Sequence, residues 1–131
     1  MGASDTLETN ILNHFFRGVS TTANSSCYVA LFLTDPTDAG TGTEVSGTGY
    51  ARKAVTFGAP SQVGGKAVIA NTNKVEYDTP ASAWGTVAYW AIYTAATGGT
   101  LLSSGVISPA KTIAIGDPPF FNIGALTVSL D

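Results

Sequence analysis

The sequence predicts an all-β protein: an antiparallel, jelly-roll-like β-sandwich of eight or nine strands with one N-terminal amphipathic helix. Three observations lead there. The first is the stretch 84–94, WGTVAYWAIYT. Strand side chains alternate between faces, so Val87, Tyr89, Ala91 and Tyr93 oppose Ala88, Trp90 and Ile92, and both sets are apolar. A strand that is greasy on both sides needs cover on both sides, from a second sheet on one and from a helix, loop or partner on the other. The second is 27–34, CYVALFLT, apolar on both faces in the same way and therefore expected close to the first. The third is punctuation: short runs broken by Gly, Pro and Asp at intervals of roughly 8 to 12 residues, the spacing of sandwich strands.

In chain order, the first element is a helix over 5–17. Asp5 is the expected cap with Glu8 three positions on, and Gly18 is the left-handed stop. Leu7, Ile11, Leu12, Phe15 and Phe16 form one apolar stripe at helical spacing. At about 1.5–3 kcal/mol per large side chain, that stripe is too costly to leave in water, so the helix is expected to dock on its own sandwich or on a neighbour. His14, alone near the helix end, reads as a partner for the helix dipole rather than a metal ligand.

A polar link over 20–26 leads into the strand 27–34, which Asp35-Pro36 stops because proline cannot extend a central ladder. Residues 37–49 read as a long flexible loop; their four glycines lack the following helix and the Gly-Lys-Ser/Thr close of a phosphate cradle. A strand over 50–57 is expected near an edge, with Arg52-Lys53 solvated. Gly64-Gly65 turns the chain into 66–71, and 74–78 is a further short strand. After the central strand come 100–107, a break at Pro109, 111–115, and a turn at 116–119. Leu126, Val128 and Leu130 then alternate in a final half-buried strand, expected inside a sheet.

Composition narrows function mainly by exclusion. A chain of 131 residues is read as one domain, 1–131, with no linker long enough to divide it. Charged residues make up 11% of the chain and the net charge is −3, which argues against nucleic acid, since phosphate binding needs clustered Lys and Arg. No apolar run approaches the roughly 20 residues of a membrane-spanning helix, and the start lacks the features of a secretory leader, so a soluble protein made in a cytoplasm is expected. The single cysteine rules out an internal disulfide, and Cys27 reads as a small buried hydrophobe.

Catalytic chemistry finds no footing. Asp35, Asp38, Glu44, Asp78 and Asp117 fall in turns, where side-chain to backbone bonding explains them. Asp35, Asp38 and Glu44 are the nearest approach to a calcium site, but the EF-hand spacing is absent. One His and one Cys would leave zinc to carboxylates. No enzyme activity, metal or cofactor is therefore expected. Among the aromatics, Tyr50 and Trp84 border loops and are the candidates for stacking a sugar, as a carbohydrate-binding sandwich would.

The ordered set FFRG at 15–18, YVALFLTDP at 28–36, GTEVSGTGYAR at 42–52, WGTV at 84–87, AATGGTLL at 95–102 and the closing GALTVSLD resembles a family of small virion proteins of tailed bacteriophages, commonly labelled phage tail fibre protein. The resemblance spans nearly the whole chain and implies a structural virion protein made in the bacterial host cytoplasm. Within that class the chain length and the missing shaft favour a capsid decoration (cement) protein, with a tail fibre or tail-tip component as the alternative. Expected partners are a second or third copy of the chain, and the major capsid protein or tail proteins; nucleic acid and membrane are not expected. The residues expected to make those contacts are Leu7, Ile11, Phe15, Phe16, Val45, Tyr50 and Trp84.

Overall fold

A computed structural model describes residues 2–130. Its elements are β1 (Gly2–Ala3), α1 (Asp5–Phe16), β2 (Cys27–Phe32), β3 (Lys53–Val55), β4 (Ser61–Val63), β5 (Lys66–Ala70), β6 (Val75–Glu76), β7 (Gly85–Tyr93), β8 (Leu101–Ile113), β9 (Phe120–Phe121) and β10 (Thr127–Leu130). The strands form sheets in the orders β1-β8-β7-β2-β3, β10-β5-β4 and β6-β9. All pairings are antiparallel, and the arrangement is sandwich-like. Among the described residues there are ten strands rather than eight or nine, because the two-residue β1 and β9 and the exposed β4 carry too few side chains to show a period.

The doubly apolar strand lies in the middle of the large sheet. β7 pairs with β2 on one side, Ala91 opposite Ala30 and Trp90 opposite Leu31, and with β8 on the other. Its inner face meets the small sheets through a core of Val29, Leu31, Val75, Tyr77, Ile92, Ile113 and Leu126. Its outer face carries a second cluster of Ala30, Phe32, Ala91, Tyr93 and Leu101. That cluster is covered by the loop after β2: Pro36 is fully buried, and a Cβ on Gly40 would touch Leu101 at 3.8 Å.

The segment 37–49 is therefore no free loop. Leu33 N–H donates to Thr43 O at 2.8 Å and Val45 N–H to Leu31 O at 2.9 Å, so this segment borders β2 just beyond the point where β3 leaves it. Asp35 starts the turn by accepting Thr37 N–H at 2.8 Å.

Two further expectations change. The stretches on either side of Pro109 form one strand, β8, because the register against β7 jumps from Val87↔Lys111 to Tyr89↔Val106. Pro109 falls in the unpaired interval, where its missing N–H costs no ladder bond. The same irregularity takes Val87 out of simple alternation and into the inner core with Ile92. The last strand, β10, lies at the edge of its sheet, paired with β5. Leu126, just before it, is 1% exposed and supplies the burial that its alternation signalled.

Trp90 lies flat across Gly105 of β8, its partner in the ladder, leaving no room for a side chain there. Asn71, 2% exposed, ties the small sheets together. Its amide donates to Asn73 O at 2.7 Å and Asn122 O at 3.0 Å, and its Oδ1 accepts Leu126 N–H at 2.9 Å. Truncating it strands three backbone groups, each costing about 1–3 kcal/mol when left unpaired in the interior. Asn71→Ala is expected to lower unfolding free energy in urea by roughly 2–4 kcal/mol; an unchanged midpoint would show that water replaces those bonds freely.

Candidate functional site

The motif 42–52 builds the most polar part of the interior. Glu44 takes a two-pronged contact from Arg52, Nε to Oε2 at 2.9 Å and Nη2 to Oε1 at 2.9 Å. The Tyr50 hydroxyl donates to Glu44 Oε2 at 2.6 Å and accepts Leu31 N–H at 3.0 Å. Arg52 also donates through Nη1 to Ala95 O at 3.1 Å and Gly98 O at 2.7 Å, and its guanidinium sits 3.9 Å from the centroid of the Tyr93 ring. Bidentate guanidinium–carboxylate pairs are among the strongest protein hydrogen bonds, and here one holds two loops to the outer face of the large sheet.

Beside it, Tyr50 stacks on Tyr77 at 6.1 Å, and Trp84 meets both rings edge-on. The polar tips are satisfied: Tyr77 Oη donates to Val29 O at 2.8 Å and Trp84 Nε1 to Thr48 O at 3.1 Å. A side chain at Gly47 would collide with Trp84, and Gly49 holds φ +91, which explains two of the glycines in the motif.

The electrostatics point to structure. Burial, then the bond to Glu44, holds the Tyr50 phenol above its ordinary value, and burial does the same to Tyr77. The bond to Glu44 raises Arg52 further. Burial pushes the Cys27 thiol up, against a smaller opposing effect of the Asn24 amide, so the reactive thiolate is disfavoured. Among the described residues no three His, Cys, Asp or Glu side chains gather as metal ligands, and no helix is long and apolar enough to cross a membrane.

The seven residues expected to make contacts separate into two groups. Val45 and Trp84 are each 3% exposed and belong to the inner core, and Tyr50 packs against it. This corrects their reading as surface contacts: loop-border position marked them, but the loop folds inward. With its ring faces covered, Trp84 offers no platform for a sugar. Arg52, read as solvated, is 9% exposed at its side chain because Glu44 and Tyr93 enclose it. The clue lay in the spacing of Glu44, Tyr50 and Arg52 within one glycine-rich segment, which suits a short ion pair.

The other four lie on α1. Its cap is Ser4 rather than Asp5: extended at φ −74, ψ 160, Ser4 accepts Leu7 N–H at 3.1 Å while donating to Leu101 O at 2.6 Å, so one hydroxyl caps the helix and pins it to β8. Asp5 N–H donates to Asp38 O at 3.0 Å. Gly18, at φ 68, ends the helix as expected. The helix buries none of its residues. Leu7 and Ile11 are half-buried toward the body, and Leu7 closes an apolar cavity of about 360 Å³ between the sheets that Cys27, Ile69, Ile92 and Leu102 also line. Leu12, Phe15 and Phe16 are 57%, 74% and 79% exposed.

Fold and surface together define a class: a small antiparallel β body whose polar interior secures its loops, with an apolar helical ridge outside. Residues 2–129 match the family described as podophage GP4 fiber I protein gp80, and the chain belongs to that family of phage virion proteins. No curated protein matches it.

Tyr50→Phe keeps the ring but removes two hydrogen bonds, and is expected to cost about 1–3 kcal/mol in urea unfolding. Because folding raises the phenol, the neutral form is favoured in the native state; its contribution is complete below the unfolded value of about 10 and is lost as pH rises through the folded value. Stability should therefore fall above about pH 10, and less steeply in Tyr50→Phe. Identical alkaline slopes for the two proteins would contradict this.

Proposed function

We propose that this chain is a structural component of a podophage fibre, made in the host cytoplasm, that works by contact with copies of itself and with tail proteins and catalyses no reaction. The observation that carries this reading is the family match over 2–129, a family described by its fibre position. It favours the fibre alternative over capsid decoration, because the argument for decoration rested on chain length and on the missing shaft. The chemistry agrees: the best-placed carboxylate, Glu44, is occupied by Arg52 and Tyr50, and the aromatic cluster is spent on packing.

Gold-labelled antibody against the chain, applied to intact particles, tests this. Label confined to the fibres or tail is the expected outcome. Label spread evenly over the shell would overturn it in favour of decoration.

A further inference from the structure

We propose that the cavity between the sheets is a binding site for one hydrocarbon chain, the tail of a fatty acid or single-chain lipid whose polar end stays at the mouth. The inference rests on the cavity alone and stands apart from the fibre reading.

Packing gives the first reason. At one end of the sandwich Val75, Tyr77 and Leu126 fill the space between the sheets, and all three are buried. At the end nearer α1 the small sheet turns Ala67 and Ile69 of β5 and Val128 of β10 toward Cys27, Ile92 and Leu102 of the large sheet. Of these six only Ile92 is buried. About 360 Å³ stays open between the two walls. Protein interiors hold few voids larger than a water molecule, so a gap of this size between facing apolar sheets is a formed space rather than a packing defect.

Chemistry gives the second. Only two lining side chains carry a polar atom, and both are engaged: Ser103 Oγ donates to Gly2 O at 2.9 Å, and Cys27 Sγ accepts the Asn24 amide at 3.3 Å. No lining residue is charged. A water needs about two to four polar partners to settle in a cavity, and an ionised group would give up its hydration for nothing. The walls therefore suit an uncharged, apolar occupant.

Size and the mouth select a chain. An apolar cavity of about 150 Å³ accepts benzene, and a methylene takes up close to the ~30 Å³ of a water, so this cavity holds roughly twelve carbons. Leu130 edges both this cavity and an open cleft of about 550 Å³ whose wall includes Glu8, Lys66 and Ser129. Apolar interior and polar exterior meet at that side chain, as a molecule with one hydrocarbon end and one polar end requires. Both signs of charge stand at the mouth, so the tail rather than the head sets recognition.

The test uses the full chain and sodium alkanoates below their micelle concentrations. Calorimetric affinity should rise about fourfold with each methylene from octanoate to dodecanoate, the increment for taking one methylene out of water, and should stop rising between dodecanoate and hexadecanoate as the cavity fills. Ala67→Phe places a ring in the cavity and should weaken dodecanoate binding at least about tenfold, whereas Phe15→Ser, on the exposed ridge, should leave it unchanged. In the wild type, saturating dodecanoate should slow alkylation of Cys27 by N-ethylmaleimide, a reading that needs no variant to fold. Lauroyl lysophosphatidylcholine carries the same tail, and the tighter binder of the two names the source of the chain. Absence of binding by both, an affinity still climbing past hexadecanoate, binding lost in Phe15→Ser but kept in Ala67→Phe, or unchanged alkylation of Cys27 would overturn the proposal.

Discussion

The constraint that governs this molecule is the double-sided hydrophobicity of β7 and its neighbour β2. Each face of that pair must be removed from water, and the chain uses different means for the two. The inner face is closed by the small sheets, with Leu126, Val75 and Tyr77 reaching across to Val29, Leu31 and Ile92. The outer face is closed by a segment of mostly irregular backbone, which a single antiparallel bridge between Phe32 and Glu44, rather than a full ladder, holds to β2. The Glu44–Arg52 pair substitutes for that ladder: it fixes the segment after β2 and, through the carbonyls of Ala95 and Gly98, the turn after β7. A glycine-rich stretch thus becomes a fixed cover, and its polar side chains are drawn into structural work.

What the sequence made legible follows from side-chain period. Residues 84–94 and 27–34 are apolar on both faces, so their adjacency and central place could be read directly, as could the Gly18 stop of the helix. Where the period is broken by geometry, the reading fails. Pro109 marks a break in the sequence, yet β8 runs through it, since whether a proline harms a strand depends on whether the partner strand needs its N–H. Ser4 does not stand out as the cap in the sequence, because its second bond, to Leu101 O, joins residues 97 positions apart.

The contact residues show the same limit. Val45, Tyr50 and Trp84 looked like surface because they flank turns, and only the inward fold of the segment reveals them as core. The stripe on α1 was visible as a stripe. Its division into a half-buried edge at Leu7 and Ile11 and an open ridge at Leu12, Phe15 and Phe16 was not, because a stripe of that width does not say how much of it its own chain covers.

Both faces of the central pair are thus covered from within the chain, while Leu12, Phe15 and Phe16 on α1 stay exposed. Hydrogen exchange read by mass spectrometry, comparing the wild-type chain with the Phe15→Ser, Phe16→Ser variant, tests that division most directly. The account predicts the slowest exchange in β2 and β7 in both proteins, with any difference between them confined to α1. Loss of protection in β2 and β7 together with α1 would contradict it, since the central strands would then owe their cover to a partner.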